Sequence, residues 1–104
     1  MSETLDIPAA PRRRYGSGMP EICRFFGIVI SMFYADHAPP HFHARYGDHR
    51  AIIEIESATL LSGSLPPRPL GLVIEWAVKR RAELRDDWRL ARQQQPLVPI
   101  PPLE

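Results

Sequence analysis

Residues 41–57 read HFHARYGDHRAIIEIES, and this stretch constrains the fold more than any other. Two alternating runs flank Gly47-Asp48, the pattern of two strands joined by a tight turn. Successive side chains of a strand point to opposite faces, so parity sorts them. His41, His43 and Arg45 share one face; Phe42, Ala44 and Tyr46 share the other. In the return strand Ala51, Ile53 and Ile55 form an apolar row, and Arg50, Ile52, Glu54 and Glu56 a mostly polar one. A two-residue and a four-residue loop give different cross-strand partners. Both keep the faces matched, because side chains alternate with period two. One face of the hairpin therefore carries His41, His43, Arg45, Arg50, Glu54 and Glu56 whichever loop forms.

Upstream, EICRFFGIVISMFYAD is also strand material. Gly27 reads as a bend or bulge between a short strand, Glu21 to Phe25, and a longer one, Ile28 to Tyr34. On the longer strand Ile28, Ile30, Met32 and Tyr34 share one face, and Val29, Ser31 and Phe33 the other. Apolar residues on both faces predict a central strand. Downstream, ATLLSGSLPPRPL is turn-rich, with room for a short extra strand at Thr59 to Leu61. A long helix follows. The first N–H groups of a helix have no intrahelical partner, so Pro66, Pro67 and Pro69 fit if the cap lies near Leu65 or Pro66. Leu70, Val73, Ala77, Leu84, Trp88 and Ala91 then form one stripe, widened by Ile74 and Trp76. Lys79, Arg80, Arg81, Glu83, Arg85, Asp86 and Asp87 fall mostly on the solvent side. QQQP ends the helix, and PLVPIPPLE reads as an extended proline-rich tail.

Strands first and helix last predict an α+β domain of two layers. A small antiparallel sheet of about four strands packs its apolar face against a long C-terminal helix. Residues 1–18 mix Pro, Gly, Ser and charge without period and read as a disordered tail. The domain is placed at 19–95 and the C-terminal tail at 96–104. Arg12-Arg13-Arg14 could touch phosphates, but so short a basic run is more often just solvated. Translation from Met19 instead of Met1 fits the same boundary.

With 104 residues the chain supports one modest core, which a homo-oligomer or partner would help. The net charge of +1 excludes strong global attraction to nucleic acid or membrane. Nearly all the positive charge is arginine, which grips carboxylate and phosphate bidentately; GC-rich coding would give the same skew. Cys23 is the single cysteine, so no intrachain disulfide and no cysteine-based zinc knuckle can form. The apolar run Phe25 to Ala35 is too short to span a bilayer. With no apolar signal core at the N-terminus, a cytoplasmic protein is expected.

Chemistry concentrates in DHAPPHFH, residues 36–43, which holds three of the four histidines. His41 and His43, two apart on a strand, place their Cα atoms roughly 6.6 Å apart with side chains on one side. Zinc or another divalent first-row ion could bridge them, given a third ligand. Asp36, His37 and Glu54 are the candidates. An extended Pro39-Pro40 holds His37 roughly 12 Å from His41 unless the chain turns at Ala38. Glu54 lies opposite His41 or beside His43 across the hairpin and is the better third ligand. Without metal, two imidazoles, two arginines and a carboxylate could bind a phosphodiester and move its proton. A purely structural reading stands beside both. In it Asp36 accepts local backbone N–H groups in an Asx-type turn, and the histidines cap the sheet edge. His49 falls in the turn and is expected exposed. Trp76 and Trp88 belong to the core, and Cys23 is buried rather than reactive.

The stretches MPEICRFFGIVISMFYADHAPPHFHARYG and AIIEIES…LLSGSLPPRPLGLVIEWAVKRRAELRDDW resemble a small bacterial domain-of-unknown-function family. Its signature is an opening Met-Pro-x-Ile, then Asp-His-x-Pro-Pro-His-Phe-His, then a helix of the type Val-x-Glu-Trp…Glu-Leu…Trp. The resemblance runs from Met19 to about Pro99. It groups Asp36, His37, Pro39, Pro40, His41, His43, Tyr46 and Gly47, with Trp76 and Trp88 as helix markers. Members are often encoded beside a second small uncharacterised protein, which implies a two-gene, toxin–antitoxin-like module. The resemblance implies no established activity.

The expectation is a small cytosolic bacterial protein that engages a partner protein, encoded by the adjacent gene, or RNA. It would use a His/Arg sheet face with Arg45, Arg50, Tyr46, His37 and Asp36, and the proline-rich tail. The alternative is a ribonuclease-like or metal-dependent hydrolase with His41, His43 and Glu54 as catalytic or metal-binding residues.

Overall fold

In a computed structural model, residues 20–104 are described. The expected tail at 1–18, with Arg12–Arg14, and the alternative start at Met19 lie outside the described residues. The order of elements is β1 (Glu21–Phe25), β2 (Ile28–Ser31), β3 (His41–Tyr46), β4 (His49–Glu54), β5 (Leu60–Gly63), α1 (Pro67–Lys79) and α2 (Arg81–Arg92). The strands form one antiparallel meander in the order β1-β2-β3-β4-β5.

The architecture is α+β as expected, but the sheet has five strands rather than about four. The fifth is the short extra strand, displaced to Leu60–Gly63. It pairs with β4 through an irregularity between Ile52 and Ile53. Gly63 has φ +76, and a Cβ there would run into the Arg50 carbonyl oxygen. Only glycine lets β5 approach β4 this closely.

The β3–β4 hairpin closes over Gly47-Asp48, with Tyr46 opposite His49. Gly27 is not a bulge. It is the second residue of a two-residue turn, with Phe26 at φ 50 and Gly27 at φ 80. Positive φ at both positions marks a type I′ turn, whose twist matches that of paired strands. β2 stops at Ser31 instead of Tyr34. Its last pair is Ser31 with His43, and the partner strand begins two residues away at His41. Pro39 and Pro40, just before it, have no N–H to extend the ladder.

All four residues of β2 are buried, as a central strand requires. The inward rows Ile28, Ile30, Phe42, Ala44, Ala51 and Ile53 join the helix stripe Val73, Trp76, Ala77, Leu84, Trp88 and Ala91 in one core. The Trp76 ring sits 5.6 Å from Phe25 and 5.7 Å from Phe42, centre to centre.

The single long helix is in fact two. Arg80 breaks it with φ −109 and ψ 24, without Gly or Pro. Past the bend, Arg81 donates from Nε to the Ile55 carbonyl at 3.2 Å, and Arg85 grips Glu56 bidentately at 2.7 and 2.6 Å. These contacts tie α2 to the turn after β4. Asp87, expected toward solvent, is 1 % exposed. It accepts a 2.8 Å hydrogen bond from the Val98 N–H through Oδ1, and Oδ2 has no partner.

That bond reflects a second departure. Residues 96–104, expected as a tail outside the domain, pack onto it. Ile100 and Leu103 are buried. The Ile100 N–H donates to the Ile22 carbonyl at 2.8 Å, and Trp76 Nε1–H donates to the Pro101 carbonyl at 2.8 Å. Prolines leave this segment few N–H groups to satisfy, and its aliphatic side chains fill the remaining gap beside α1. No helix among the described residues is long and apolar enough to cross a membrane.

Candidate functional site

The sheet face turned away from the helices carries the polar row. Register places Ser31 opposite His43 and Val29 opposite Arg45. It also places His43 opposite Ile52 and Arg45 directly opposite Arg50. Like charges in such a cross-strand pair repel. Neither arginine pairs with a carboxylate among the described residues. Around them the face is concave. A cavity of about 310 Å³ is lined by Val29, Ser31, Phe33, His43, Arg45, Arg50, Ile52, Ser62 and Gly63. Its lining is mostly apolar, with the exposed Arg45 and Arg50 and two serines among its polar members. Parity alone had set Val29, Ser31 and Phe33 on a shared face. Their part in this concavity went unrecognised because it depends on which strands become neighbours.

His43 belongs to this wall and also to a second group. The loop after β2 turns back so that Asp36 Oδ2 lies 2.8 Å from His41 Nε2 and 3.4 Å from His43 Nε2. Asp36 Oδ1 accepts the His37 N–H at 3.0 Å. The local backbone role foreseen for Asp36 is therefore present, on the other oxygen. His41 Nδ1 lies 2.7 Å from the Pro39 carbonyl oxygen. His41 is 8 % exposed, and its ring packs 5.2 Å from the Trp88 ring. The Phe33 ring meets His43 edge-on at 4.6 Å.

The electrostatics follow from this packing. Burial pushes the Asp36 carboxyl up, but its polar contacts with the His41 ring, the His37 N–H and the His43 ring outweigh it, and the net shift is downward. Burial holds the His43 imidazole below its ordinary value, with Asp36 opposing and His41 adding to the fall. His43 is thereby favoured as a neutral ring.

The other expected site residues fall elsewhere. Glu54 is opposite His41 in register, yet its carboxylate turns to the following turn and accepts the Ser57 hydroxyl at 2.5 Å. Asp36 supplies the carboxylate beside the imidazoles instead. The exposed His37 contributes its backbone N–H to the cluster. Tyr46 lies on the opposite face from the arginines, over Gly27, and borders a separate groove with Phe26, Pro69 and Leu72. His49 is exposed in the hairpin, and Cys23 is buried, both as expected.

Comparison with known families places this geometry. The family described as a domain of unknown function, DUF4160, matches residues 27–89, more than half of the chain. The chain belongs to that family. The match spans the sheet from β2 onward, the histidine cluster and both tryptophans. No curated protein and no solved structure matches the chain.

Proposed function

We propose that this DUF4160 domain binds single-stranded RNA on the outer face of its sheet, with Arg45 and Arg50 holding phosphate. The observation that carries the reading is the opposed arginine pair lining the cavity. Two guanidinium groups side by side, without a carboxylate between them, present ten N–H donors' worth of anion recognition at one point. Phe33, Val29 and Ile52 offer the apolar and aromatic surface on which an unstacked base rests. A duplex could not enter so small a concavity, whereas one splayed nucleotide could. The Ser31 and Ser62 hydroxyls are suited to a ribose 2′-OH, which favours RNA over DNA.

The family resemblance adds a cytosolic bacterial setting and the product of an adjacent gene. In that setting, RNA binding fits one component of a two-gene module. An acidic segment of the neighbouring protein is the competing occupant of the same face. A metal-dependent or ribonuclease-like hydrolase remains the alternative and depends on what the Asp36, His41 and His43 group holds.

The test is binding of a labelled short RNA, followed by fluorescence anisotropy over a range of salt. Binding should weaken as salt rises and should compete poorly with DNA of the same sequence. Salt-sensitive binding of an acidic peptide, with none of RNA, would transfer the face to a protein partner.

A further inference from the structure

We propose that Asp36, His41 and His43 form a binding site for one divalent first-row transition-metal ion of the zinc class. The inference goes beyond RNA binding and does not depend on it. It starts from the two nitrogens of His41. Nδ1 lies 2.7 Å from the Pro39 carbonyl oxygen, which can only accept, so Nδ1 carries the proton. In the neutral ring Nε2 then presents a lone pair, and what it faces at 2.8 Å is a carboxylate oxygen of Asp36. Two lone pairs so close need either a proton or a metal ion between them, and a metal ion would also draw in His43. His43 Nε2 converges on the same oxygen at 3.4 Å.

The ligand atoms of all three residues lie within 4.8 Å of one another. Ligands at about 2.0–2.1 Å around a tetrahedral ion stand roughly 3.3 Å apart, so small adjustments close the site. The support resembles that of a metal centre. A ligating histidine characteristically donates its other N–H to a backbone carbonyl, as His41 does to Pro39. The remaining oxygen of Asp36 is fixed by the His37 N–H, and the His41 ring is held by packing on Trp88. Two imidazoles and one carboxylate leave a coordination position open, the pattern of a site that also takes water or a ligand. His43 is both a ligand here and part of the cavity wall, so the ion would fix that wall and pin the loop after β2 to β3.

The experiment titrates zinc and cobalt(II) into the full chain after treatment with a chelator. Affinity, stoichiometry and thermal midpoint are read for the wild type and for Asp36→Asn, His43→Gln, Glu54→Gln and Arg45→Ala. One ion should bind per chain and raise the midpoint, because a ligand of the folded state stabilises it. Asp36→Asn and His43→Gln should each weaken binding by roughly tenfold or more. Glu54→Gln should bind as the wild type does, and so should Arg45→Ala. Nitrogen-15 spectra of the loaded protein should show His41 protonated at Nδ1 alone.

Absence of a midpoint shift with either ion would overturn the site. So would loss of binding in Glu54→Gln but not Asp36→Asn, or a His41 ring protonated at both nitrogens in the presence of metal. That last result would make the contact an imidazolium–carboxylate ion pair. RNA binding measured with chelator present is unaffected by any of these outcomes, so the two readings fail separately.

Discussion

Arg45 and Arg50 stand directly opposite each other in the β3–β4 ladder, two positive side chains in a place that sheets normally give to complementary pairs. Such a pair costs stability when no anion lies against it. Arg50→Glu should therefore stabilise the ligand-free domain by about 0.5 kcal/mol, through relief of repulsion and a new cross-strand ion pair. The same change should abolish RNA binding. Chemical denaturation and anisotropy on one variant check both halves. A variant that loses stability while keeping its affinity would contradict the role given to the pair.

Trp76 joins α1 to the C-terminal segment through its hydrogen bond to the Pro101 carbonyl. It is wholly buried, and Ile100 beside that bond is 4 % exposed. Trp76→Phe removes the bond and leaves a cavity where the larger ring packed, and should cost about 2–4 kcal/mol. Ile100→Ala should cost about 2–5 kcal/mol, as aliphatic truncation in a core does. Urea midpoints measure both. A loss well below 1 kcal/mol for Ile100→Ala would mean that residues 96–104 do not hold this position in solution.

The pH dependence of stability has two opposing parts. Burial keeps His43 below its ordinary value of 6.5, despite Asp36. The unfolded chain thus binds the proton first, and stability falls as pH drops below that value. Asp36 acts in the same direction at lower pH, since its carboxyl is held below the ordinary 3.8. Asp87 works the other way. Burial raises its carboxyl above 3.8, against the Val98 hydrogen bond. Its contribution is present in acid and is lost as pH rises through the raised value. Asp87→Asn keeps an oxygen for the Val98 N–H and removes the charge. Its advantage over wild type should be absent in acid and grow as pH rises from the ordinary 3.8 through the raised value, measured with chelator present. A difference that does not change with pH would show that the Asp87 charge is not confined.

Much of this was legible in the residues because it is local. Alternation around Gly47-Asp48 placed His43, Arg45 and Arg50 on one face, and no later packing could move them. The stripe from Val73 to Ala91 was likewise a matter of period. What escaped depends on contacts between distant segments. Asp87 is polar and sits on the flank of the stripe, and only the return of Val98 buries it. The bend at Arg80 has no sequence marker and is accompanied by Arg81 and Arg85 reaching Ile55 and Glu56. Asp36 stood among the candidate third ligands but behind Glu54, because its distance to His41 depends on the path of the 32–40 loop. Glu54 had the right register and the wrong direction, drawn to Ser57 three residues on.

The most direct test of the account is the salt dependence of RNA binding by the wild type, Arg45→Ala and Arg50→Ala. Two arginine–phosphate contacts on a single strand predict a slope of log affinity against log salt near about −1.4, reduced by about 0.7 for each arginine removed. Parallel loss of affinity and slope in both variants, with their folds intact, is the predicted result. No measurable binding of RNA by the wild type even at low salt, or a slope that both substitutions leave unchanged, would contradict it.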